Sequence, residues 1–143
     1  MNLLLQSMLE AHPQGAGVNM AIVVDALELL ATCEQVCAAC GDACLSEENP
    51  EHLRDCIRQN VNCSAVCSAT ARVLLRYHAP TTAVLHAQLH ACVLACQACA
   101  DACAAHAENH EHCAICAETC RRCQEKCNLA LAEVSPAGVA ASE

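Results

Sequence analysis

The chain has 143 residues, of which 55% are apolar and 16 are cysteine, with a formal charge of −9 and Tyr77 as its one aromatic residue. An acidic chain without aromatic platforms excludes a nucleic-acid partner, because no basic field is present to neutralise phosphates and nothing is available to stack on bases. The length suits one domain whose core, lacking Phe and Trp, must be built from small aliphatic side chains and thiols.

Residues 2–11 predict a short amphipathic helix with Leu4, Leu5, Met8 and Leu9 apolar, followed by a linker from His12 to Gly17. The apolar patch is far too short to span a membrane. No Lys or Arg precedes Arg54, so the N-terminal segment lacks the charge of a secretory or twin-arginine signal. The expectation is a reducing cytoplasm, where thiols stay reduced, and no membrane partner.

A first long helix is predicted from about Val18 to Leu45. Asn49-Pro50 reads as N-cap and first-turn proline of a second, to about Tyr77. Pro80-Thr81-Thr82 opens a third, to about Ala107, and Asn109 can cap a fourth that ends near Glu133. Residues 134–143 read as a frayed tail. Short connections between helices of this length force antiparallel neighbours, so residues 1–133 predict an all-α protein: an antiparallel four-helix bundle with a short N-terminal helix.

The cysteines recur at steps of three and four: Cys33, Cys37, Cys40, Cys44; Cys56, Cys63, Cys67; Cys92, Cys96, Cys99, Cys103; Cys113, Cys116, Cys120, Cys123, Cys127. At about 100° per residue, the first and third runs each fit an arc of roughly 60°, and the last roughly 80°. The core stripe of each helix is therefore made of sulfur. Val23, Leu27 and Leu30 precede the thiols on the first helix, Leu74 follows them on the second, and Leu85 and Leu89 precede them on the third. One end of the bundle should be plugged with aliphatic residues, while thiols run out to a mouth at the other.

As plain small hydrophobes the cysteines make little sense, since alanine fills the same space without oxidation risk. A disulfide-stabilised helical interaction protein is one alternative, because Cys103/Cys113 and Cys113/Cys123 have the spacing of paired CX9C hairpins. They share Cys113, however, and thiols on one helical face are poorly placed to bridge. The CxxC pairs Cys37/Cys40, Cys96/Cys99, Cys113/Cys116 and Cys120/Cys123 allow a multi-zinc or iron–sulfur reading, yet each lies inside a longer series without knuckle loops. Cuprous copper suits the pattern better. It is soft, accepts two or three sulfurs, and lets each thiolate bridge two ions, so loading should approach one ion per cysteine, on the order of 16 per chain. Each Cu(I) that replaces a proton also leaves the buried core near neutral.

The cysteine stripe, the short N-terminal helix and the histidine-bearing third turn resemble the bacterial copper storage proteins, over roughly residues 1–133. An exported branch of that family carries a twin-arginine signal and methionines at the bundle mouth. This chain has neither, its methionines being Met1, Met8 and Met20, and so resembles the cytosolic branch. The resemblance implies a homotetramer of bundles and histidines at the mouth.

His106 and His110 extend the Cys92–Cys103 face by three and seven residues beyond Cys103, and so read as first-contact copper ligands. Counted the same way, His112 is out of phase. His12, His52, His78, His86 and His90 read as surface or interface residues. Asn60 sits where the step from Cys56 to Cys63 would admit another cysteine, and offers either an amide oxygen near the mouth or a hydrogen bond to backbone. With no nucleophile and base set apart from the repeated stripe, a copper store rather than an enzyme is expected.

Overall fold

In a computed structural model, which describes residues 2–15, 17–78 and 81–134, asparagine starts both N-terminal helices. The Asn2 side chain accepts from the Leu5 N–H to cap α1, Leu3–Glu10, and Asn19 accepts from the Ala21 N–H to cap α2, Met20–Leu45. Between them the chain turns at Gly15, whose φ of 69° is a left-handed conformation that glycine adopts without strain. His78 seats this linker by bonding the Gly15 carbonyl at 3.0 Å and stacking on His12.

Pro50 opens a single 3-10 turn, Pro50–Leu53, that leads into α3, Arg54–Leu74. Proline fits there because its missing N–H lies in a first turn, where no intrahelical partner is needed. Asn49 holds the N-cap position, as its place before Pro50 suggests, but its side chain makes no cap bond. The last two helices are α4, Thr82–Ala104, and α5, Glu111–Glu133. α4 ends three residues earlier than its composition suggests, because residues 105–109 tighten into i→i+3 turns to cross between antiparallel neighbours. The N-cap of α5 is His110, in an extended conformation, rather than Asn109. Pro80 and the tail from Ser135 lie outside the described residues. Val134, assigned to the tail by sequence, is buried in the core.

Cross-helix contacts fix the topology. Ser64 bonds the Glu34 carbonyl and Asn60 lies against Gly41, so α2 and α3 are antiparallel. Sulfur contacts 56–103, 63–96 and 67–92 run α3 against α4, and Cys127 to Cys92 with Arg121 to Asp101 run α4 against α5. Cys33 and Cys37 meet Cys120, closing α5 back onto α2. The result is an up-down-up-down bundle. At its closed end Val23, Leu30, Leu74, Leu85 and Leu89 are fully buried, with Ala130 and Val134 beside them. α4 is long and apolar enough to cross a membrane by composition alone, but its thiols, Leu85 and Leu89 face the bundle core.

Candidate metal centre

All sixteen cysteines are buried and free, and they line one continuous core. Most neighbouring sulfurs lie 3.6 to 4.0 Å apart, both along a helix (Cys33/Cys37, Cys63/Cys67) and between helices (Cys37/Cys120, Cys63/Cys96, Cys67/Cys92). Such separations are about twice a disulfide bond. Cys123 lies among Cys33, Cys67, Cys92 and Cys127 near the closed end.

The sulfurs group by level along the bundle axis. Toward the aliphatic plug are Cys33, Cys63, Cys67 and Cys96, then Cys33, Cys37, Cys63 and Cys120, then Cys37, Cys99, Cys116 and Cys120. Nearer the mouth come Cys40, Cys56 and Cys103, and finally Cys40, Cys44, Cys113 and His112. Three CxxC pairs are split between these groups: Cys37 from Cys40, Cys96 from Cys99, and Cys113 from Cys116. The cause is helical rise, which sets residues i and i+3 about 4.5 Å apart along the axis. The first three groups share members in turn, and Cys40 belongs to both groups nearer the mouth, so they do not divide into separate tetrahedra.

Asn60, fully buried, faces neither solvent nor backbone. Its Oδ1 accepts from the thiols of Cys99 and Cys116 at 3.3 Å and Cys103 at 3.6 Å, while its Nδ2 donates to Cys56 at 3.8 Å. Of the two readings from sequence, the contacts follow the amide oxygen, which serves thiols rather than a backbone group. The amide organises thiols from α3, α4 and α5.

Proton sharing follows from the crowding. Cys56 and Cys103 sulfurs are 2.9 Å apart, and the Cys103 thiol donating to Cys56 holds Cys56 down at about 3. Cys103 itself is raised, first by Cys116 and then by Cys40 and Cys56. At the mouth, burial pushes Cys44 up to about 11 and raises Cys113 as well, with nearby thiolates adding to both.

The mouth histidines are arranged differently from the sequence expectation. α4 ends before His106, so its phase does not carry to His106 and His110. Those two line an outer depression with Glu47, Glu48, Asn49, His52 and Asn109. The histidine against sulfur is His112, whose Nδ1 lies 3.5 Å from Cys40, 3.6 Å from Cys113 and 3.9 Å from Cys44. Its Nε2 bonds Glu47 Oε2 at 2.8 Å, and His110 Nδ1 reaches the same oxygen at 2.9 Å. These bonds, His112's first, hold the Glu47 carboxyl below the usual range. The signal for His112 lay in the next helix: it precedes Cys116 by four and Cys120 by eight, in phase with α5's own stripe. Glu47, in a connection between helices, carried no periodic signal.

The family model for copper storage proteins matches residues 20–132. Among solved structures, the chain is similar to the copper storage protein of Streptomyces lividans loaded with 10 copper equivalents, at 42% identity over 90% of this chain and 98% of that one, with a TM-score of 0.86. It is similar also to a cytosolic copper storage protein from Streptomyces lividans bearing five coppers, at 46% identity over 78% and 93% of the two chains, TM-score 0.76. No curated protein matches.

Proposed function

The chain belongs to the copper storage protein family, and we propose that it stores Cu(I) in the cytoplasm on Cys33, Cys37, Cys40, Cys44, Cys56, Cys63, Cys67, Cys92, Cys96, Cys99, Cys103, Cys113, Cys116, Cys120, Cys123 and Cys127. The sharing of sulfurs between neighbouring groups carries this reading. Cys33, Cys37, Cys63 and Cys120 each belong to two four-sulfur sets, which suits an ion that takes two or three thiolates and lets each bridge onward. Zinc, wanting four ligands to itself, would leave such a network half used. Each arriving ion displaces thiol protons, so the filled core gains little net charge.

His112 joins Cys40, Cys44 and Cys113 as the first site inside the mouth, with His106 and His110 as contacts in the outer depression. The protein holds ions and catalyses no reaction. Cys113 and His112 do meet, but beside two further thiols, as a ligand set rather than a nucleophile with its base. Four bundles assemble as a homotetramer, which accords with the exposure of Leu4 and Met8 on α1.

Anaerobic titration of the reduced protein with Cu(I) should saturate near the thiol count of 16 and release protons in step. Saturation at about four ions or fewer would favour discrete tetrahedral sites. Light scattering should give four times the 15.0 kDa chain mass, and a monomer would overturn the assembly.

A further inference from the structure

We propose that Glu47 is a positioning residue for copper uptake, its carboxylate holding His112 in the tautomer that presents a bare Nδ1 to an ion beside Cys40, Cys44 and Cys113. The inference rests on the copper-storage reading of those thiols. A carboxylate oxygen only accepts hydrogen bonds, so a ring nitrogen bonded to it carries hydrogen. His112 meets Glu47 Oε2 through Nε2 at 2.8 Å, so in the neutral ring the lone pair falls on Nδ1, 3.5 to 3.9 Å from three sulfurs. His110 meets the same oxygen through Nδ1 at 2.9 Å and takes the opposite tautomer, with its lone pair on Nε2.

One carboxylate thus sets two imidazoles in opposite senses across the boundary between the outer depression, which His110 lines, and the thiol core, which His112 faces. Without it, His112 is free to carry its hydrogen on Nδ1 or turn its ring, and the first ion must wait for the minority form. Glu47 touches no sulfur itself. Its contribution passes through the two rings.

The tautomers are directly readable by long-range 15N–1H correlation spectra of the reduced apo-protein. Hydrogen on Nε2 of His112 and on Nδ1 of His110 is expected. Hydrogen on Nδ1 of His112 in the unaltered protein, or a doubly protonated ring at neutral pH, would overturn the proposal without any variant. In Glu47→Gln the oxygen that meets both rings loses its charge, and the amide can instead turn its Nε2 toward a ring that must then accept, so the hold on both tautomers should weaken. Stopped-flow loading from a Cu(I) chelator should slow about 10- to 100-fold in the first phase, with the final copper count changed by about one ion at most. Glu47→Ala, checked for helicity by circular dichroism, should slow it as much. Wild-type loading rates in both variants would sink the idea while leaving storage intact. Failure of the unaltered protein to take up Cu(I) would instead remove the storage reading, and the apo-protein spectra would still decide whether Glu47 sets the rings.

Discussion

Asn60 shows how much one side chain can do inside a core of sulfur. An amide oxygen has two lone pairs, yet three thiols converge on it, so two are bonded well at any moment and Cys103, the farthest at 3.6 Å, is the one displaced. Unlike a cysteine at that position, the amide neither ionises nor oxidises. It therefore keeps the thiols of three helices in register before copper arrives. Asn60→Ala strands these donors and opens a small void, and should cost the apo-protein roughly 1–3 kcal/mol in chemical denaturation. A change within about 0.5 kcal/mol would show that the thiols satisfy one another. The mouth makes a second residue-scale prediction. His112→Ala should slow copper loading more than His106→Ala combined with His110→Ala, because only His112 reaches sulfur. Stopped-flow comparison of the two variants decides it, and equal rates would return the three histidines to one undifferentiated cluster.

At the scale of elements, each helix has two jobs, separated along its length. Leu30 of α2, Leu74 of α3, and Leu85 and Leu89 of α4 meet at the closed end and bury fully. The cysteine-bearing turns form the store. Fully burying a leucine contributes about 1.5–3 kcal/mol, whereas a small thiol contributes less, so the plug supplies much of the stability of the apo-bundle. Leu30→Ala or Leu89→Ala should destabilise the apo-protein by about 2–5 kcal/mol and leave the copper capacity unchanged. Thermal melts paired with metal analysis test both halves, and a loss of several ions would mean that plug and store are not separable. The helices themselves were legible from the three-and-four spacing. Their ends were less so, and the miss at Asn109 had consequences. The segment from Ala104 to Asn109 is alanine-rich and reads as helix, but a chain reversing between α4 and α5 has to tighten there, and that demand comes from the neighbour.

For the molecule as a whole, the buried thiols set a dependence on pH. Cys44 is pushed up to about 11 by burial, and Cys113 is raised in the same way. A raised folded value means that the folded state holds its protons more tightly than the unfolded chain does. Stability from these groups is thus fully present below the ordinary thiol value of roughly 8.5 and is lost as pH climbs toward about 11. The apo-protein should melt at progressively lower temperature from about pH 9 to 11. Copper-loaded protein, whose thiols have already given up those protons, should show a much flatter profile. A loaded protein as alkali-sensitive as the apo form would argue that copper leaves the mouth thiols untouched.

By itself the sequence determined the bundle, the sulfur stripe and the division into plug and store, since all three are periodic and helical phase turns spacing within one segment into a face. It also singled out Asn60 by phase, though without its partners. Only the tertiary structure decided which sulfurs share a level, that three of the CxxC pairs are split between levels, and that His112 meets Cys40, Cys44 and Cys113 while Glu47 joins it to His110. Phase is defined within a helix and ends where the helix ends. His112 belongs to α5, and Glu47 reaches it across 65 residues of chain, so their meeting depends on how α2 and α5 close against each other.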